Sequence, residues 1–228
     1  MVNLKQWCFT WMPDRLAGPG ADKAALLSAT QWNRGDIITV SFLDGDTRVQ
    51  DMVRRFAPEW TAPGMADLIL DFREGPDTMI RISFRYKGSW SVLGTTCRQI
   101  TDRTQPTMNY GWLTPDSSED EARRVILHEF GHALGLIHEH QNPEGGIQWA
   151  RQAVIDDLSG PPNNWTEDQI EFNMFKKFDP AEVRATPVDR DSIMMYPIPK
   201  RWTTDGFSAG LNSNLSADDR RLIREVYA

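Results

Sequence analysis

The chain has 228 residues, of which 40% are hydrophobic, and this is enough for one sizeable core or for two lobes about a cleft. Its net charge of −7 argues against a nucleic acid or an anionic membrane as partner, because both need a basic face. A mean hydropathy of −0.50, with no helix-length apolar run, argues against a membrane span.

The cysteines and the first residues bear on the compartment. Cys8 and Cys97 are the only cysteines, so at most one disulfide can form and a disulfide scaffold is excluded. Residues 1–8 lack the apolar stretch of a secretory signal. We therefore expect a cytoplasmic chain, or one that leaves by a non-classical route or has already lost a signal, and we take it to be a monomer.

Residues 1–33 differ from the rest of the chain. Aromatic residues around Cys8 are followed by prolines and glycines, and then by a short stretch of helical character from Asp22 to about Thr30. A segment of this length and composition cannot form a core of its own. We expect it to lie over the surface of a domain formed by residues 34–228.

A sheet is predicted from residue 36 onward. Apolar residues alternate with polar ones over 36–42, which is the period of a half-buried strand. Asp46 or Thr47 then caps a helix that extends to about Trp60, and two more strands follow at 68–72 and 80–85. This order predicts a twisted mixed sheet with a helix on one face.

The next segments lead to a buried helix. Residues 87–106 lose all periodicity, so we predict a loop region that contains Cys97, and residues 107–112 resume as a short strand. Ser118 and Glu121 match a capping box at the start of the following helix. Apolar residues cover most of this helix, which should therefore run through the core between two lobes.

All four histidines lie in one short segment. On a helix His128 and His132 face the same side, so both can bind one zinc ion. Glu129 is then placed beside the metal without being a ligand, where a general base for a bound water must lie. Gly135 can take a positive φ and end the helix, which brings His138 back as a third ligand. Three neutral imidazoles leave a fourth position open, as in a catalytic zinc site.

His140 lies two residues beyond this set. We expect it to be a surface histidine or one that supports the ligands, rather than a ligand itself. The chain that follows is loop-rich, with helices predicted at 147–158, at 166–177 and at 216–228. Residues 191–197 form a turn between the last two.

The pattern His-Glu-x-x-His-x-x-Gly-x-x-His, which begins at His128, resembles the zinc motif of the metzincin metallopeptidases. Residues 192–196, Ser-Ile-Met-Met-Tyr, resemble the Ser-x-Met-x-Tyr turn of the astacin family, and Glu139 after the third histidine is also similar to astacins. A matrixin-like Met-Tyr-Pro alignment would instead make Met195 the turn methionine. We favour Met194, since the flanking serine and tyrosine and Glu139 agree with it.

The resemblance implies an α+β fold, a two-lobed metzincin catalytic domain. A twisted mixed sheet with helices forms its upper lobe, and a loop-rich lower lobe ends in a C-terminal helix. The resemblance also implies one catalytic Zn2+, held by His128, His132 and His138. Glu129 then acts as the general base, and Tyr196 hydrogen-bonds the oxyanion.

Three further features follow from the resemblance. Met194 forms a soft hydrophobic floor under the histidines. Glu139 is buried and accepts the mature amino terminus or a neighbouring basic group. Strand 107–112 takes the position of an edge strand along which an extended polypeptide substrate adds, although an ordinary buried strand fits these residues equally well.

By the same resemblance, residues 1–33 occupy the place of an inhibitory propeptide. Several metzincins are latent because a propeptide side chain takes the fourth zinc position, and Cys8 could do so as a thiolate. Cys8 could also be a small buried hydrophobic residue, and residues 1–33 a permanent structural arm. Secreted animal astacins usually carry two disulfides, which this chain cannot form, so extracellular localisation is not implied.

The sequence thus predicts a zinc-dependent endopeptidase. The alternative is a non-catalytic zinc-binding interaction domain. That alternative gives no reason for a glutamate beside an open metal position, and we disfavour it.

Overall fold

The computed structural model describes the backbone of residues 8–11 and all atoms of residues 30–143, 145–161, 163–178 and 187–228. The helical stretch predicted between Asp22 and Thr30 lies outside these residues, except for Thr30 itself. The division into residues 1–33 and 34–228 stays a prediction.

Six strands of the described part form one mixed sheet. They are β1 (Cys8–Trp11), β2 (Ile37–Phe42), β3 (Ile69–Phe72), β4 (Ile80–Ser83), β5 (Ser89–Val92) and β6 (Met108–Tyr110). Their order across the sheet is β1-β5-β6-β4-β2-β3, and all neighbours are parallel except β5 and β6. Ile38 and Val40 of β2 are fully buried, as the alternating pattern predicts. The predicted mixed sheet is confirmed.

β5 lies in the segment predicted as a loop, and that prediction is wrong. Ser89 and Ser91 are both buried, so no apolar alternation marks this strand in the sequence. Pairing with β6, which places Ser91 opposite Met108, defines it instead. A 3₁₀ helix, Gly94–Gln99, follows and buries Cys97.

β6 is the strand predicted to lie at the edge of the sheet. It lies between β5 and β4, and all three of its residues are buried, so the edge position is wrong and an ordinary buried strand is found. The cause is a nonlocal contact, since β5 pairs antiparallel with the outer side of β6. The outer side of β5 is in turn paired with β1, with Cys8 opposite Ser89 in parallel register.

The described residues contain five α-helices. They are α1 (Thr47–Phe56), α2 (Glu119–Ala133), α3 (Arg151–Ser159), α4 (Glu167–Ile170) and α5 (Ala217–Tyr227). Asp46 caps α1 by accepting from Arg48 N (2.9 Å), and α1 passes into a 3₁₀ turn, Ala57–Thr61. α4 continues as a π-helical turn, Glu171–Phe175, so the helix predicted over 166–177 changes form after one turn. In the described ranges no helix is both long and apolar enough to cross a membrane.

The capping box predicted for α2 is only half formed. Ser118 Oγ accepts from Glu121 N (3.2 Å), as predicted. The Glu121 carboxylate does not return to the cap, because it accepts from the guanidinium of Arg124 (2.7 and 2.9 Å) and from Trp112 Nε1 (2.9 Å). Two bonds from the charged guanidinium and one from the indole replace the single bond that the cap would offer, which accounts for the difference.

Two hydrophobic clusters form the core. The first joins the sheet, α1, α2 and α5, and the second joins α3, α4 and the π-helical turn to Trp202. Trp112 packs against both clusters. The turn at 191–197 also connects them, since Met194 belongs to the first cluster and Met195 to the second. These clusters match the two predicted lobes, and the α+β fold class is confirmed.

Candidate metal centre

α2 carries the first two predicted ligands on one face. The ring centroids of His128 and His132 lie 4.9 Å apart and the ring planes are at 88° to each other; both side chains are buried. Glu129, between them in sequence, is fully buried as well. Because apolar residues surround α2, the helix holds these side chains inside the core rather than at the surface.

The turn at Gly135 brings the third histidine to the same place. Gly135 has φ +94°, as the sequence predicts, and its N–H donates to His132 O (2.8 Å) while Leu136 N donates to Gly131 O (2.9 Å). This pair of bonds is a Schellman motif, which ends a helix and reverses the chain. The centroid of the His138 ring then lies 4.5 Å from the ring centroid of His132 and 5.2 Å from that of His128.

The hydrogen bonds of the Nδ1 atoms define the tautomers. Nδ1 of His128 lies 2.8 Å from Ile193 O, Nδ1 of His132 lies 2.8 Å from Leu136 O, and Nδ1 of His138 lies 3.4 Å from Gln141 Oε1. These oxygens can only accept, so each Nδ1 carries the hydrogen and each neutral ring keeps a lone pair on Nε2. Support of this kind for the far ring nitrogen is the usual arrangement of a metal-binding histidine.

The three rings are neutral because they are buried. Burial lowers the pKa of His132 to about 4, and burial together with the neighbouring histidines lowers the pKa of His128 and of His138 well below the usual value. Nε2 of His132 and Nε2 of His138 nevertheless lie 3.1 Å apart, and Nε2 of His128 is buried without a hydrogen-bond partner. Lone pairs that converge in this way fit a metal cation, and one ligand atom from each ring lies within 4.8 Å of the other two.

The methionine turn lies directly beneath α2. Gly131, between the two helix ligands, packs so closely on Met194 that a Cβ there would overlap the Met194 sulfur. Met195 belongs to the second core cluster instead. The placement therefore favours Met194 over Met195 as the methionine under the histidines.

Asp219, which sequence reasoning missed, holds this turn in place. Its carboxylate accepts from Ser192 Oγ (2.7 Å) and Ile193 N (2.8 Å), and Ile193 O is the acceptor of His128 Nδ1. Burial raises the pKa of Asp219 above its usual value. The sequence signal that could have found it is the Ser216 capping box of α5, in which Asp219 is the third helical residue.

Tyr196 lies beside the histidines. Its side chain is buried, and its ring lies 4.2 Å from the ring of His138 and 6.2 Å from the ring of His128. His140 is also buried, with 4.7 Å between its ring centroid and that of Tyr196, so of the two positions expected for it the surface one is excluded. The His140 ring lies next to the three clustered histidines, and among the described histidines, cysteines and acidic residues it is not one of the cluster.

Glu139 links the third ligand to the methionine turn. Its N–H donates to Met194 O (3.1 Å), and its carboxylate accepts from Asp189 N (3.1 Å) and Asn142 Nδ2 (3.3 Å). Burial raises the pKa of Glu139 to about 7 in spite of these donors. Within the part of the chain that the structure describes, no basic side chain forms an ion pair with it.

Cys8 is described only by its backbone, in β1. That strand lies on the outer edge of β5 and approaches α2. The position of the Cys8 thiol lies outside the described atoms, so its predicted place on the metal stays a prediction. Burial raises the pKa of the other cysteine, Cys97, to about 12, so its thiol is protonated.

Fold and site together define the class of protein: an α+β domain with the three-histidine metal cluster of metalloproteases. A solved structure of myroilysin is 38% identical to this chain, with a TM-score of 0.84, and the match covers 88% of this chain and 97% of that one. A second, crystal structure of myroilysin is 34% identical, with a TM-score of 0.71, over 99% of this chain and 92% of that one. The chain belongs to the myroilysin family. No protein-family model matches the sequence, and no curated protein matches it significantly.

Proposed function

We propose that this chain is a zinc-dependent endopeptidase of the astacin-like metzincin type. The observation that carries the proposal is the convergence of three neutral, buried imidazoles, each oriented through Nδ1, at a helix that also buries Glu129. Imidazole nitrogen is a preferred ligand of zinc. Structural zinc sites usually have four His, Cys or acidic ligands, and among the described residues of these types three converge here, which favours a catalytic site.

The chain's own residues divide the work of peptide hydrolysis. Zinc, when bound by His128, His132 and His138, supplies a Lewis acid and a water of lowered pKa. Glu129 accepts a proton from the attacking water and delivers it to the leaving amine. The hydroxyl of Tyr196 donates a hydrogen bond to the oxyanion that develops on the scissile carbonyl.

Several features support the astacin type over the matrixin type. Met194 rather than Met195 packs under α2, and Tyr196 contacts the rings of the ligands. Glu139 is held at the junction of the third ligand and the methionine turn, with no basic partner among the described residues. We propose that it receives an amino group, such as that of the mature amino terminus, because a cation there would relieve the cost of its burial.

We further propose that an extended polypeptide substrate pairs with the outer edge of β5. β6 is enclosed by its neighbours, whereas β5 is followed only by β1. β1 occupies the backbone hydrogen-bonding groups on this edge of β5, so a substrate cannot pair there while β1 does. Residues 1–33 would therefore inhibit the enzyme, and Cys8 on the metal would add to the inhibition.

The experiment is cleavage of a mixed peptide library by the full chain and by residues 34–228, with Glu129→Gln as the blank. Glutamine keeps the size of the glutamate and removes its basicity, so metal should be retained and cleavage lost. Cleavage only by residues 34–228 supports an inhibitory segment, whereas equal cleavage by both chains makes residues 1–33 a structural arm. If neither chain cuts although metal is bound, the endopeptidase proposal fails and a metal-binding interaction domain replaces it.

Cys8→Ala in the full chain tests the thiolate separately. Cys97→Ala is its matched control, because that thiol is buried and protonated. Activity that rises in Cys8→Ala alone supports a thiolate on the metal. A Cys8→Ala chain no more active than its parent would contradict it.

A further inference from the structure

His140 is packed against the residue that is proposed to stabilise the oxyanion. It lies in the 3₁₀ turn Glu139–Gln141 and is 1% exposed. Its ring stacks on the ring of Tyr196, with 4.7 Å between centroids and 26° between planes, and on the ring of His138 at 5.4 Å and 25°. The ring of Trp149 is nearly perpendicular to that of His140, with 6.1 Å between the ring centroids. The His140 ring therefore limits the positions that the Tyr196 ring can take.

The plane of His140 is set by the π-helical turn Glu171–Phe175. Nε2 of His140 lies 2.7 Å from Asn173 O, and the neighbouring Gln141 donates from Nε2 to Phe172 O (2.9 Å). Carbonyl groups in the last turn of a helix lack the N–H partner that the helix interior supplies, and here both accept from the turn Glu139–Gln141. Asn173 is itself fixed, since its Nδ2 donates to Gln169 O (2.8 Å).

This bond defines the tautomer of His140. A carbonyl oxygen only accepts, so Nε2 carries the hydrogen and Nδ1 keeps a lone pair. Nδ1 is buried and has no hydrogen-bond partner among the described residues, and it does not join the metal cluster. A buried polar atom left unpaired is costly, and a hydrophobic side chain of similar shape would avoid that cost. Nδ1 therefore takes no part in holding the residue, and its contacts are the bond through Nε2 and the stacking of the ring.

We propose that His140 is a positioning residue: its imidazole, fixed to Asn173, holds the ring of Tyr196 beside the metal centre by stacking. The inference rests on the proposed function, because it deepens the role of Tyr196 in that reaction. Without the stacked ring, Tyr196 samples other positions, and its hydroxyl meets the oxyanion less often. The loss therefore falls on kcat rather than on KM or on metal content.

Three variants separate this role from a merely structural one. His140→Ala removes both the ring and the bond to Asn173. We expect kcat to fall about tenfold, because a small displacement of a catalytic group lowers the rate by about this factor or more. His140→Phe keeps a ring and removes only the hydrogen bond, and it should stay within about threefold of the parent. In a Tyr196→Phe background, His140→Ala should cause no further loss, because the hydroxyl that it positions is already gone.

Nuclear magnetic resonance of the tyrosine rings gives a readout that does not need activity. The chain has four tyrosines, and Tyr196→Phe assigns the signal of Tyr196 by its disappearance. His140→Ala should shift and broaden this signal alone, whereas His140→Phe should leave it near its place. The other three signals report whether the fold is intact.

Several outcomes would overturn the inference. If the falls in kcat of His140→Ala and Tyr196→Phe multiply in the double variant, His140 does not act through Tyr196. If His140→Ala loses metal, His140 supports the metal-binding position of His138. If His140→Ala does not fold, His140→Phe decides, since a loss as large as that of Tyr196→Phe contradicts stacking. If the parent does not cleave peptides, the proposed function fails, and an unmoved Tyr196 signal in His140→Ala then overturns this inference independently.

Discussion

Replacing Gly131 by alanine tests the contact between the metal helix and the methionine turn. The added Cβ would overlap the Met194 sulfur, and would lie 3.2 Å from Met194 Cε and 3.3 Å from Trp60 Cζ2. Alanine gains about 1 kcal/mol over glycine in a helix interior, but overpacking a buried site typically costs about 1–3 kcal/mol. Met194 is 1% exposed and belongs to the first core cluster, so its side chain cannot move out into solvent without disturbing that cluster. We expect Gly131→Ala to lower the free energy of unfolding by up to about 2 kcal/mol.

The sign of the effect should reverse when the sulfur is removed. Met194→Val lacks both Sδ and Cε, so in that background Gly131→Ala should raise the free energy of unfolding by up to about 1 kcal/mol. Urea denaturation of the parent, both single variants and the double variant, all loaded with metal, gives the coupling energy. If Gly131→Ala stabilised the parent as much as the Met194→Val chain, the reasoning would be refuted, because Met194 would not lie on Gly131.

Three further predictions concern the metal centre. Tyr196→Phe should lower kcat about ten- to a thousandfold with unchanged metal content, because one hydrogen bond to the oxyanion is lost; full activity would remove Tyr196 from the mechanism. Asp219→Ala should lower the free energy of unfolding in urea by about 2–4 kcal/mol, because buried donors lose their acceptor, and Asp219→Asn should cost less; equal losses would contradict the hydrogen-bond account. Burial lowers the pKa of His132 and His140 to about 4, so in metal-free protein the unfolded chain binds protons first as the pH falls below about 6.5. The free energy of unfolding should then fall by about 2 kcal/mol for each of these histidines between pH 7 and pH 5. The raised pKa of Glu139 acts in the opposite sense, because the folded chain takes up that proton first. Equal free energies of unfolding from urea titrations at the two pH values would contradict the prediction.

The sequence by itself determined which three histidines come together and the turn between them. His128 and His132 are related by the helix period, and Gly135 is needed only where the chain takes a positive φ. Both relations are local, because they depend on residues at most a few positions apart. The same holds for the cap of α1, which was predicted from a side chain and the helix that follows it.

Only the tertiary structure decided which distant residues meet. β5 could not be recognised because two of its three buried positions are serines, and β6 lost its edge position only through pairing with β5. Asp219 reaches His128 through the carbonyl of Ile193, and His140 reaches Tyr196 by stacking across the lower lobe. Contacts of this kind join elements that are far apart in the chain, and no periodicity records them. The type of a residue and its local spacing indicate what it can bind. Which partner it contacts depends on the packing of the whole domain.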